Sequence, residues 1–264
     1  MKRRVGPLES RALAWTQMRG VDRIRGGDLV SALRLTPTQE NELLSRLARS
    51  GMIARVRRGL YLVPPRLPLG GEWTPDETLA LNALVEDRQG RYQICGPSAF
   101  SRYGLDEQVP GPVYAYNNRL SGERSVGAVE IVLIKTADQR LGDTDEVRMP
   151  SGQTAVYSSR TRSLVDAVYD WSRFGTLPRA YDWIAAEISA ERVAAARLID
   201  AAVRYGNQGT IRRIASVLER AGIARATLAK LERALRSGKS LIELVPGRPR
   251  RGTVDGRWGV IVND

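Results

Sequence analysis

Arginine stands at positions 55, 57 and 58, three cations within four residues of a stretch, IARVRRGLYLVPP, that turns at Gly59. A guanidinium stays charged at any physiological pH and presents a fork of N–H donors that fits phosphate and carboxylate, so this cluster offers anion binding. Other reactive chemistry is scarce. The 264 residues include no histidine, which removes the commonest general base, the commonest metal ligand and any Ser/His/Asp triad. Asp143, Asp145 and Glu146 could hold a divalent ion in a nuclease-like site; their spacing is not that of a calcium loop, and a solvated turn is the competing reading. The segment SGKS at 237–240 has the ending of a phosphate-binding loop, but Arg233 stands where that loop needs a glycine, so a helix C-cap turn is expected there. No catalytic residue, metal or cofactor is expected, and an enzyme is disfavoured. The single Cys95 rules out an intramolecular disulfide and reads as a small buried thiol in a core strand.

The elements that must position the arginines lie at the start of the chain, and so does the charge. Residues 1–68 hold 14 Lys and Arg against 5 Asp and Glu, whereas residues 69–264 hold 27 against 24. A field concentrated on one small segment is the footprint of a polyanion partner such as nucleic acid. Leu8, Ala12, Trp15 and Met18 follow a helical spacing over 8–19, with Pro7 at the first turn. Asp28 is positioned to cap a short second helix through Leu33. Thr36, Pro37 and Gln39 form a capping box with proline at the first position, so a third helix begins there. Its Leu43, Leu44 and Leu47 share one stripe, Gly51 ends it, and Thr38, Gln39, Asn41, Glu42, Ser45, Arg46 and Arg49 face outward. Two short strands with Arg58 and Gly59 at their turn complete the order of a winged helix-turn-helix. On this reading Thr38, Gln39, Glu42, Arg46 and Arg49 face the major groove, while Arg55, Arg57 and Arg58 contact the DNA backbone from the wing. Strict alternation puts Arg55 and Arg57 on one face of their strand and returns Val56 to the core. Solvated surface charge, or a winged helix used only for protein contact, are the alternatives.

Four prolines among residues 64–75 read as a linker, which places a domain boundary near residue 70 and gives domains of 1–68 and 69–264. A helix from Pro75, a buried strand and short helix in YQICGPSAFSRYGL, strands in VYAYN, VEIVLIKT, DEVRMP and QTAVYSS, and turns in LSGERSVG and PSGQ come next. Helices are expected over 161–171, 178–188, 190–205, 208–221 and 225–237, then strands in SLIELV and RWGVIVN. The fold class is therefore α/β, in the broader sense α+β: an N-terminal winged helix-turn-helix and a larger mixed α/β domain. No apolar run approaches the roughly 20 residues that span a bilayer and no secretory leader is evident, so a cytoplasmic protein is expected. Arg212, Arg213, Arg220, Arg225, Lys230, Arg233, Arg236 and Lys239 along the late helices are solvated faces or a second polyanion-facing surface.

Taken together, LARSGMIARVRRGLYLVPP, YQICGPSAFSRYGLDEQVP, SSRTRSLVDAV, GNQGTIRRIASVLERAGI and the closing RWGVIVN resemble, in this order and over nearly the whole chain, the AbiEi family of antitoxins of AbiE-type (type IV) bacterial toxin-antitoxin systems. The resemblance implies an N-terminal winged helix that binds inverted repeats in its own promoter and represses the operon. It also implies a C-terminal domain that counteracts a cognate AbiEii-type toxin, a nucleotidyltransferase. The matching residues Arg160, Asp166, Arg212 and Arg213 read as structural rather than toxin-facing. A two-domain winged-helix regulator whose second domain senses a ligand or a protein is the alternative.

Overall fold

The computed structural model describes residues 6–66, 72–108, 110–236 and 240–263. Its N-terminal part runs α1 (Pro7–Arg19), β1 (Arg23–Arg25), α2 (Asp28–Leu33), α3 (Pro37–Arg49), β2 (Ala54–Arg57), β3 (Leu60–Leu62). The α3 start follows from its sequence: the Thr36 hydroxyl accepts the Gln39 N–H at 3.2 Å, and the Gln39 side-chain oxygen accepts the Thr36 N–H at 2.9 Å. The inner stripes of the helices, Ala12 and Leu13, Leu29, and Leu43, Leu44 and Leu47, close a core with Ile24, Tyr61 and Val63. Burying each leucine contributes about 1.5–3 kcal/mol. β1 was not expected. Three residues carry no periodicity of their own, and the strand exists because it pairs antiparallel with β3, Ile24 opposite Tyr61.

The start of α2 also differs from expectation. Asp28 is already helical and accepts the Arg25 N–H at 2.7 Å, while the residue before the helix is Gly27 at φ 101°. The cap comes instead from α3, where the buried Glu40 carboxylate accepts the N–H groups of Gly27 and Leu29, each at 2.7 Å. An anion at a helix N-terminus meets both the free donors and the positive end of the dipole.

The rest of the chain starts with α4 (Glu77–Glu86), whose first turn is fixed by Asp76 accepting the Leu79 N–H at 3.0 Å rather than by Pro75. There follow β4 (Tyr92–Ile94), α5 (Gly96–Arg102), β5 (Val113–Asn117), β6 (Gly122–Val126), β7 (Val129–Lys135), β8 (Thr144–Arg148) and β9 (Thr154–Ser158). Among the described residues they form one mixed sheet in the order β6-β7-β5-β4-β9-β8, with β5–β7 and β4–β9 parallel. β6 was read as a turn. It is a charged edge strand in which only Val126 is buried, so its sequence lacks an apolar alternation, and its pairing with β7 from Gly122↔Leu133 to Val126↔Val129 makes it a strand.

Helices α6 (Arg160–Tyr169), α7 (Trp171–Phe174), α8 (Arg179–Ser189), α9 (Ala195–Tyr205), α10 (Gln208–Arg220) and α11 (Arg225–Ala234) then pack around one apolar cluster with α5. α9 begins five residues later than its apolar spacing suggested, after Glu191 turns the chain at φ 56°. The end of the fifth expected helix, the SGKS glycine and lysine, and the middle of the proline-rich linker lie outside the described residues. A small sheet closes this part: β10 (Ile242–Glu243), β11 (Thr253–Asp255) and β12 (Val260–Val262), in the order β10-β12-β11. β11, not expected, has two exposed residues and the half-buried Asp255. The fold is mixed α/β throughout. No helix among the described residues is long and apolar enough to cross a membrane.

The two parts share apolar surface. Ala54 and Leu62 belong to the same cluster as Leu81, Val85, Ile131 and Leu133, with half-buried Val56 packed against it. One face of the β2–β3 hairpin therefore sits on the large sheet's core while Tyr61, on the other face, joins the helices.

Candidate nucleic-acid interface

α3 buries Leu43, Leu44 and Leu47 and exposes Thr38, Gln39, Asn41, Glu42, Ser45, Arg46 and Arg49. Not all of the exposed groups are equally available. The Gln39 carbonyl oxygen is committed to the capping box, leaving its amide N–H2 to donate outward. Arg46 lies 3.5 Å from Glu9 of α1, and Arg49 Nε bonds the Ser45 carbonyl at 3.3 Å. Both arginines remain exposed, and surface pairs of this kind are worth little, so neither contact locks its guanidinium.

The hairpin corrects the expected placement of its arginines. Arg55 lies opposite Tyr61 and Arg57 opposite Leu60, so Val56 is an extra residue, a β-bulge. Residues directly across a ladder share a face. Arg55 therefore points with Tyr61 toward the helical side, and Arg57 with Leu60 and Leu62 toward the second part of the molecule. Strict alternation would have kept Arg55 and Arg57 together; the bulge separates them. Arg58 is exposed at the tip, where Gly59 at φ 75° supplies the left-handed residue the turn needs.

Arg57 meets a carboxylate. Its Nε and Nη2 donate to the two oxygens of Asp87 at 2.6 and 2.5 Å, and its Nη1 donates to the Arg58 carbonyl at 2.7 Å. These bonds hold the Asp87 carboxyl below the usual carboxylate range. One residue earlier, Glu86 accepts from Arg23 of β1 at 3.0 Å, and Arg23 also bonds Asp22. Glu86 and Asp87 were not singled out from sequence. The available signal was two successive acids at the C-terminal end of an apolar helix, where the dipole disfavours them.

The remaining candidates fall elsewhere. On β8, Asp145 and Glu146 alternate faces, and the Asp145 carboxylate accepts the Tyr103 hydroxyl at 2.7 Å. Among the described residues no group of three or more His, Cys, Asp or Glu could hold a metal ion. Cys95 is fully buried just after β4, and burial pushes its thiol up. Asp166 is bonded by Arg162 Nε at 2.8 Å, both side chains fully buried, while Arg160 reaches Glu187 and the Tyr103 carbonyl, each at 3.1 Å. Arg212 donates to the carbonyls of Trp258, Ser240 and Gly259, and Arg213 to that of Glu243, so both tie α10 to the terminal sheet. On α11, Lys230 pairs with Asp200 at 2.7 Å.

No protein-family model matches this chain, and no curated protein sequence does. Among solved structures, the crystal structure of the Rv2827c protein from Mycobacterium tuberculosis is similar over 98% of this chain and 92% of that one, with a TM-score of 0.59 and 16% sequence identity. At that identity the likeness establishes a shared fold.

Proposed function

We propose that this protein binds double-stranded operator DNA through its N-terminal part, working as a winged helix-turn-helix, and thereby represses its own operon. In this reading α3 enters the major groove and the β2–β3 hairpin lies along the backbone as the wing. The observation that carries it is the exposed polar face of α3, with Arg46 and Arg49, standing with Arg55 and Arg58 on a strongly basic segment; Met18, expected on the inner stripe of α1, is 88% exposed instead. Phosphate contacts from the hairpin would position the protein, and Thr38, the Gln39 amide, Glu42 and Arg46 would read base edges. The resemblance to the AbiEi antitoxins supports the second half of the proposal: residues 69–264 counteract an AbiEii-type nucleotidyltransferase toxin.

Footprinting of the protein on the DNA upstream of its gene tests the first half. Protection of inverted repeats there is expected; uniform protection only at concentrations that also cover unrelated DNA would contradict it. Co-expression with the adjacent gene tests the second: growth arrest by that gene, relieved by residues 69–264 or by the whole chain, is expected, and a harmless neighbour would contradict it.

A further inference from the structure

Three observations meet at Arg57. First, its two-bond grip on Asp87 is the geometry by which an arginine fork also takes a phosphate. Second, Asp87 directly follows α4, where a carboxylate faces the negative end of the helix dipole, and Glu86 beside it is placed equally badly; each is compensated by an arginine of the N-terminal part, Arg57 and Arg23. Third, the bulge at Val56 is what turns Arg57 to that side and away from Arg55.

We propose that the acidic end of α4 is a built-in phosphate mimic, which occupies the Arg57 fork in the DNA-free protein and yields it to a backbone phosphate when DNA binds. The proposal rests on the DNA-binding reading above. Exposure fits the exchange: the Arg57 side chain is 46% accessible and that of Asp87 12%, so a phosphate can approach the guanidinium from solvent without prising the two parts open. Asp87 is not stranded when Arg57 leaves, because Arg88 lies 3.8 Å from its carboxylate. Arg57 also holds the Arg58 carbonyl, so its departure frees the hairpin tip to adjust to the duplex. The intramolecular pair thus subtracts from the affinity gained by the phosphate contact, because it must open before that contact forms.

The test compares the full chain with Asp87→Asn, Arg57→Ala and the double variant, each titrated with upstream and unrelated DNA over a salt series. Asp87→Asn should tighten binding by about fivefold, the upper range for a partly exposed ion pair, without a gain when Arg57 is already alanine. Affinity unchanged or reduced in Asp87→Asn would overturn the proposal, and so would a gain that persists in the double variant, which would mark simple loss of a negative charge. In the unmutated protein, the Arg57 Nε–H resonance, identified by its loss in Arg57→Ala, should shift on saturation with operator DNA; an unmoved resonance overturns the proposal independently of any variant's folding. If the unmutated protein binds neither DNA, the DNA-binding reading itself fails, an outcome distinct from all of these.

Discussion

The most consequential single residues here are carboxylates that take the place of other partners. Glu40 lies on α3, the helix that would read DNA, yet its side chain is buried and caps α2 through two N–H groups. It fixes the angle between the two helices of the turn. Glu40→Ala strips a charged acceptor from the buried Leu29 N–H and the part-buried Gly27 N–H and is expected to cost about 2 kcal/mol of stability. Urea unfolding measures it, and Glu40→Gln, which keeps one acceptor, should lose less than half as much. Sequence reasoning passed over Glu40 because its cap is tertiary: eleven residues separate it from Leu29, beyond any local capping pattern. Gln39 and Thr36 were legible because their cap is local. Asp166 is the opposite case to Glu40, since its partner Arg162 stands four residues earlier on the same helix, a local i,i+4 pair.

At the scale of elements, the order of helices and hairpin in the N-terminal part was legible from caps, leucine spacing and the arginine-glycine turn. The face each arginine occupies was not, because one extra residue in β2 reverses everything after it and leaves no mark in the composition. The strands β1, β6 and β11 escaped for a related reason: short or solvent-facing strands are defined by their neighbours' hydrogen bonds. The corrected hairpin makes a graded prediction. Arg58→Ala and Arg55→Ala should each flatten the log–log salt dependence of DNA binding by about 0.9, the loss of one phosphate contact. Equal slopes in these variants and the unmutated protein would remove the hairpin from the interface.

For the molecule as a whole, the charge split along the chain was readable in advance, but the apolar contact between the two parts was not. The hairpin's Ala54, Val56 and Leu62 pack into the core of the large sheet, so the N-terminal part is held against its neighbour by apolar contact as well as by Arg23 and Arg57. A fragment ending at residue 66 exposes these side chains and is expected to unfold at a lower temperature than the intact protein; an unchanged midpoint would mean the contact contributes nothing. The absence of histidine sets the pH response. Asp87 has a folded value below its unfolded one, so its contribution is fully present above the ordinary carboxylate value of about 3.9 and is lost as pH falls through the lower folded value. With no histidine, no stability transition centred near pH 6.5 is expected, and the Asp87 contribution is lost in acid. A transition near pH 6.5 in chemical denaturation would contradict this.

The central claim is that the basic N-terminal part reads DNA. The most direct test is equilibrium binding of the full chain to its own upstream fragment and to an unrelated fragment of equal length, across a salt series. The account predicts tighter binding to the upstream fragment, with a log–log slope of several units for both, since each phosphate contact contributes about 0.9. Equal, weak binding to both fragments would reduce the arginine cluster to a nonspecific polyanion surface, and no salt-dependent binding to either would contradict the account outright.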